Sequence, residues 1–343
     1  MPVGRLIDQD SGILMIEGGS IVSKWDKLEQ TLRRKCPGLE LLRDEPMSNH
    51  TAFRIGGPAA LMALPKTRDE AMDAVDYAYQ QHIKPFFLGS GSNLLVADGG
   101  YEGYIIKTSG LERLERWEGR FIKKDNSIIA ESGVPLSRVA DFAAEQGLSG
   151  LEFAVGIPGT FGGAIAMNAE ADGRKISQVL NKISYLTDTG DILMISPGVC
   201  RFSYRHSIFL DIRKWMVLNA DIVLTPDDPE VIKSRMQKLE IQQKAKQPCD
   251  LPSVNGVFKC KPSITGSKDD QLQWIYATDL IEQCGLRGLQ TGGAMVSKEH
   301  AEFVVNVGGA TCTDVLELVR QVKEIVLAET GVELEMGIDV LGE

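Results

Sequence analysis

"KPFFLGSGSNLLVA", residues 84–97, reads as strand, glycine loop, strand. An apolar run ends at Leu88, two glycines interrupt it, and Leu94-Leu95-Val96 resumes it. In the doubly wound dinucleotide fold such a loop opens a helix, whose N-terminus receives the pyrophosphate. Here the chain continues as a strand, so this loop is not a dinucleotide fingerprint. Gly89 and Gly91 free the backbone for positive φ, so consecutive N–H groups can turn inward on an anion. Ser90, Ser92 and Asn93 add side-chain donors. A tight hairpin turn explains the same residues equally well.

A second loop shifts the balance toward a ligand. "GIPGTFGGAIAMNA", Gly156–Ala169, opens with four glycines and a proline in eight residues. Gly162 and Gly163 before the small Ala164 permit close backbone approach to a flat or charged group. A structural turn accounts for one or two of these glycines. Two such loops in one chain point to a nucleotide-type cofactor.

Outward from these loops, short strands and helices alternate, the pattern of an α+β fold. Residues 1–48 read as an N-terminal leader carrying one helix, "DKLEQTLRRKCPG", with Leu28 and Leu32 on one face. "AALMALP" is strand-like, and "RDEAMDAVDYAYQQHI" is an amphipathic helix burying Ala71, Ala74, Val75 and Ala78. "GYIIKT" and "SIIAESGV" read as strands, and "PLSRVADFAAEQGL" as a helix with proline first and glycine last. The first unit is placed at 49–226. The charged helix "DDPEVIKSRMQKLEIQQKAKQ" leads into a second, 227–343. There strands "GVFKCK", "GAMVS", "AEFVVNV" and "ELEMGIDVLG" alternate with helices "YATDLIEQCG" and "CTDVLELVRQVKEIVLAETG". Period two places Glu335, Gly337 and Asp339 on one face of the last strand.

Composition narrows the classes of function. A net charge of −10 over 343 residues argues against sequence-independent nucleic-acid binding, which needs clustered cations. Six dispersed cysteines without a CxxC pair read as free thiols of a reducing compartment. The four histidines show no metal-ligand spacing, so no metal is expected. No signal peptide or membrane-length apolar run is seen, which points to the cytoplasm.

"NHTAFRIGGPA", "LGSGSNLLV", "GLEFAVGIPGTFGGAIAMNA", "FSYRHSIF", "GLRGLQTGGAMVSKEHAEFVVN" and "GATCTDVLELV" follow one another in order. From about residue 48 to the end, the chain resembles the UDP-N-acetylenolpyruvoylglucosamine reductase family, in its shorter subclass. The resemblance implies an FAD-binding domain of the vanillyl-alcohol-oxidase (PCMH) type and a C-terminal α+β substrate domain. It implies an FAD-dependent oxidoreductase with NADPH as reductant, acting on UDP-N-acetylglucosamine enolpyruvate in peptidoglycan precursor synthesis, as a monomer. Cofactor-binding positions carried over are Arg54, Gly89, Ser90, Gly91, Ser92, Asn93 and Leu94, then Gly156, Ile157, Pro158, Gly159, Gly162, Gly163 and Ala164. The diphosphate would sit on 89–93 and the flavin beside 157–164. Arg205 matches the arginine facing the substrate carboxylate, and Tyr204, Asn168 and Lys259 are substrate-side candidates.

Two positions depart from the family pattern. Gly256 stands where the family has the serine that supplies a proton, and Gly337 where it has a glutamate. "EADG", Glu170–Gly173, replaces an aromatic-bearing turn, and Met295 a common glutamine. General acids contribute about 10²–10⁴-fold, so these losses bear on the reaction. Water, Ser253, Cys260, Glu335 or Asp339 are the alternative proton sources, and a serine restored at 256 is expected to raise turnover. A diverged flavoenzyme with another substrate, also in the oxidative direction, and a non-catalytic flavin-binding protein are the competing readings.

Overall fold

The computed structural model describes residues 13–17, 20–117, 126–245, 247, 251–259, 261–263 and 273–342. Cys249 and Cys260 lie outside the described residues; Cys36, Cys200, Cys284 and Cys312 are free thiols.

The first sheet has the order Glu40–Pro46, Pro58–Leu64, Tyr101–Lys107, Pro85–Leu88. Its first pair is antiparallel and the other two are parallel. Both faces are covered, which is why "PAALMAL" is apolar without alternation. Tyr104 and Ile106 face one core with Leu28, Leu32, Ala71, Ala74, Val75 and Ala78, while Ile105 faces another with Met62 and Leu88. The helices on the first face are Lys24–Lys35 and Arg68–Gln80. Ser23 starts the former with a capping box to Asp26, and Thr67 caps the latter. Residues 24–46, read from sequence as part of a leader, thus supply a helix and an edge strand of this sheet.

The second sheet is antiparallel, ordered Ile192–Ile195, Leu180–Leu186, Met216–Val223, Ser127–Glu131, Leu114–Arg116. Helix Leu136–Glu145 buries Val139, Ala140 and Ala143 in its core. Helix Pro229–Lys244 adds Ile232 and Met236 to that same core.

The C-terminal sheet is ordered Ser253–Asn255, Phe303–Asn306, Ala294–Val296, Gln290–Thr291, packed by helices Ala277–Gln283 and Cys312–Thr330. Its core also takes Phe53 and Ile55 from the turn bonded to Gly91, and Leu95 from the strand leaving the first glycine loop. Burying each such side chain is worth about 1.5–3 kcal/mol. Buried Asn306 ties the same region, donating to the Phe53 carbonyl at 3.0 Å.

The expected continuous last strand is not formed. It breaks at Gly337-Ile338 into Glu335–Met336, antiparallel to Phe258–Lys259, and Asp339–Leu341, parallel to Leu94–Val96. The chain switches partners there, from the C-terminal sheet region to the strand leaving the first glycine loop. Glu335, Gly337 and Asp339 therefore do not share one strand face.

Candidate functional site

The two glycine loops meet. A Cβ on Gly89 would lie 2.5 Å from Thr160 Oγ1, and one on Gly159 3.2 Å from Ser92 Oγ. Gly91, at φ +69°, packs so tightly on the His50 carbonyl that a side chain would overlap it. Its own carbonyl accepts from Ala52 N at 3.1 Å. Among the described residues, the N–H groups of Ser90, Gly91 and Ser92 donate to no acceptor. A run of N–H groups without an internal acceptor, around a positive-φ glycine, suits a phosphate. Exposed Arg54, at φ +54°, lies on the turn that bonds to Gly91 and makes no ion pair among the described residues. These features fit the diphosphate of FAD.

The second loop is differently used. Phe161 and Gly162 donate to the carbonyls of Val134 at 2.8 Å and Ser132 at 2.9 Å, and Gly163 to Thr160 Oγ1 at 3.3 Å. Gly162 is buried, and its missing side chain makes room for Ser132. The exposed parts, Pro158 and Gly163, remain for a ligand face. Thr160, buried between the loops, was not singled out from sequence; a threonine before an apolar helical run is an N-cap signal that could have marked it.

Beneath the first loop runs a second unanticipated feature. Lys107 Nζ donates to His50 Nδ1 at 2.7 Å, which leaves His50 Nε2–H to donate to Glu45 Oε1 at 2.9 Å. Burial pushes the Lys107 ammonium below its usual value, with Glu45 opposing. No local pattern in the sequence joins these three residues.

Arg205 sits at the tip of a tight turn. Ser203 N donates to the His206 carbonyl at 3.1 Å, and Arg205 takes φ +51°. A non-glycine residue held there costs about 1–3 kcal/mol and persists only when its surroundings over-determine it. They do: Asn168 Nδ2 donates to the Ser203 carbonyl at 2.9 Å, and Ser207 Oγ to the Ala166 carbonyl at 2.7 Å. Asn168 is buried and also accepts from Ser177 N at 3.4 Å, so its amide anchors the turn. The Arg205 guanidinium reaches Asn93 Oδ1 at 2.9 Å and the Gly256 carbonyl at 3.5 Å. Tyr204, beside it, is half-buried.

The two departing glycines converge on this cation. A Cβ on Gly256, at φ +68°, would land on Arg205 Nη1. A Cβ on Gly337 would land on the Gly256 carbonyl oxygen and lie 3.4 Å from Lys259 Cγ. Lys259 is half-buried, opposite Glu335 in the strand pair. Neither neighbouring carboxylate fills the space: Glu335 is exposed, and Asp339 is bound by Arg213 at 3.1 Å. Ser253 pairs with Val305 in the C-terminal sheet, and Cys260 lies outside the described residues. Glu170 belongs to a small hairpin and pairs with Lys175 at 3.3 Å; Met295 is buried opposite Val305. No group of three metal-ligating side chains occurs among the described residues.

Residues 59–196 match the family described as FAD binding domain, and residues 247–341 match the UDP-N-acetylenolpyruvoylglucosamine reductase C-terminal domain. A UDP-N-acetylenolpyruvoylglucosamine reductase of Caldanaerobacter subterraneus subsp. tengcongensis is 41% identical over 318 residues, 93% of this chain and 98% of the relative. One from Listeria innocua is 38% identical over 312 residues, covering 91% and 98%. The crystal structure of the reductase of that name from Thermus caldophilus superposes with a TM-score of 0.69 at 28% identity, over 89% of this chain and 99% of the other.

Proposed function

Because the chain belongs to the UDP-N-acetylenolpyruvoylglucosamine reductase family, we propose that it is an FAD-dependent oxidoreductase that reduces UDP-N-acetylglucosamine enolpyruvate at the expense of NADPH. It does so in the cytoplasm, as a monomer, for peptidoglycan precursor synthesis. Among the described residues no helix is long and apolar enough to cross a membrane. Residues 49–226 serve as the flavin domain, extended by the helix and edge strand of 24–46 and by helix Pro229–Lys244, which pack in its cores, and the C-terminal residues beyond that helix serve as the substrate domain.

Bound FAD supplies the hydride. Ser90, Gly91 and Ser92 hold the diphosphate through backbone N–H groups, with Arg54 as counter-charge. The second loop offers its exposed edge to the ring. Arg205 carries the chemistry on the protein side. Hydride addition to the methylene carbon builds negative charge on the substrate carboxylate, and a fixed guanidinium in a closed site lowers that barrier. Tyr204 and Lys259 flank the substrate. The proton for the neighbouring carbon comes from water, because positions 256 and 337 present only backbone there.

The observation that carries this reading is the Arg205 turn. A strained, over-anchored arginine touches the first glycine loop, as a cation must if it is to face a substrate beside the flavin. The test is anaerobic mixing of the NADPH-reduced holoenzyme with UDP-N-acetylglucosamine enolpyruvate. Reoxidation of the flavin at enzymatic rates supports the reading.

A second reading is favoured by one specific contact. The Arg205 guanidinium at 256 and the Gly256 carbonyl at 337 fill the volume that two catalytic side chains need. A related flavoenzyme acting on another carboxylate-bearing metabolite would be built this way. It predicts that NADPH or a different donor reduces the flavin, and that UDP-N-acetylglucosamine enolpyruvate leaves it reduced.

A further inference from the structure

We propose that Asn93 positions the Arg205 guanidinium, and so couples the first glycine loop to the substrate carboxylate, instead of serving as a side-chain ligand of the flavin. The proposal rests on the reductase reading for the substrate named, though not for the contact itself.

Both ends of the Asn93 amide are engaged within the protein. Oδ1 accepts from Arg205 Nη2 at 2.9 Å, and Nδ2 donates to the Gly337 carbonyl at 3.3 Å. A guanidinium has no acceptor and a carbonyl no donor, so only one orientation of the amide satisfies both partners. The residue is fixed at the backbone as well, since its carbonyl accepts from Asp339 N at 3.1 Å. Immediately afterwards the chain enters Leu94–Val96, the strand paired with Asp339–Leu341. Asn93 therefore stands where the flavin loop, the Arg205 turn and the C-terminal segment meet.

The other contact of the guanidinium is weaker. Nη1 reaches the Gly256 carbonyl at 3.5 Å, the outer limit of a hydrogen bond. A long, flexible side chain with one good anchor depends on that anchor for its direction. Among the described residues two of the five guanidinium N–H groups find acceptors, and three remain for an incoming carboxylate. At positions 256 and 337 this chain has no side chain to share the task, which leaves it to Asn93.

The test compares the parent holoenzyme with Asn93→Ala, Arg205→Ala and the double variant. FAD affinity is read by titrating apoprotein, and substrate affinity by the change in flavin absorbance when UDP-N-acetylglucosamine enolpyruvate binds the oxidised form. Asn93→Ala is expected to keep FAD affinity within twofold and to lose tenfold or more in substrate affinity. In the Arg205→Ala background it is expected to cost nothing further. A tenfold loss of FAD affinity, or two losses that multiply, would overturn the proposal.

A second readout does not depend on the substrate. Phenylglyoxal labelling of Arg205, mapped by mass spectrometry, should become severalfold faster in Asn93→Ala while other arginines keep their rates. Asn93→Asp, which retains an oxygen toward Arg205, should label as slowly as the parent. Equal labelling in Asn93→Ala and parent sinks the proposal. Failure of the parent to bind the sugar nucleotide, with fast labelling in Asn93→Ala, rejects the substrate but keeps the coupling.

Discussion

Gly256 and Gly337 touch through their backbones: a Cβ on Gly337 would collide with the Gly256 carbonyl oxygen, and Gly337 N donates to the adjacent Val257 carbonyl at 2.7 Å. The two departures from the family pattern are thus one structural event. Gly337 makes room for the segment carrying Gly256, and Gly256 makes room for the Arg205 guanidinium.

This contact reverses the sign of an intuitive substitution. Side-chain chemistry alone expects Gly256→Ser to raise turnover by restoring a proton donor. At φ +68° a serine costs about 1–2 kcal/mol, and its Cβ would displace the Arg205 guanidinium. Turnover is expected to fall, with a lower denaturation midpoint. Gly337→Glu meets backbone, which yields less readily, and should cost about 1–3 kcal/mol. Steady-state kinetics and urea unfolding of both variants check this; a more active Gly256→Ser contradicts it.

Arg205→Ala should lower kcat by about 10²–10³-fold, the usual cost of one preorganised donor to developing charge. The flavin should stay bound, because among the described residues the side chain reaches the loop through Asn93 alone. Absorbance of the purified variant and single-turnover rates decide. Loss of colour would place Arg205 in cofactor binding.

Thr160→Val removes the hydroxyl that accepts from Gly163 N and lies against Gly89. Loss of such a cap costs about 1 kcal/mol. The two glycine loops lose one of their mutual contacts, so FAD affinity should weaken severalfold while the substrate affinity of the FAD-saturated enzyme is unchanged. Equal FAD affinity in the variant and its parent would remove Thr160 from the cofactor site.

Asp98 ties the end of the Leu94–Val96 segment to helix Cys312–Thr330. It accepts from Cys312 N at 2.6 Å, Thr313 N at 3.0 Å and Thr313 Oγ1 at 2.8 Å. Desolvation alone would raise its carboxyl, but those donors outweigh it and hold the group below its usual 3.8. A carboxylate lowered in the folded state stabilises it above the unfolded pKa, and the benefit fades as pH falls through the folded value. Asp98→Asn should therefore lower Tm by a constant amount between about pH 5 and 8. The difference should shrink below about pH 4. Melting curves across that range test it; a gap that persists in acid would assign the effect to something other than charge.

The helices were legible because their apolar spacing is local: Ala71, Ala74, Val75 and Ala78 are the buried face of their helix, as period 3.6 requires. Both glycine loops were legible for the same reason. The last strand was misread because "ELEMGIDVLG" alternates like one strand, and nothing local says that Gly337-Ile338 switches partners. Thr160 carries a local cap signal, a threonine before an apolar helical run. The chain from Lys107 through His50 to Glu45 carried none.

What the sequence determined by itself was the alternation of strands and helices and the two glycine turns. Turn chemistry and hydrophobic period are properties of neighbouring residues, and a glycine loop that leads into a strand is not a dinucleotide fingerprint. Tertiary structure alone decided what those parts touch. Asn93 meets Arg205 across 112 positions and Gly337 across 244, distances over which no periodicity survives. Only when the last strand crosses to the flavin loop do these groups come within hydrogen-bond reach, and that crossing sets the direction of the cation.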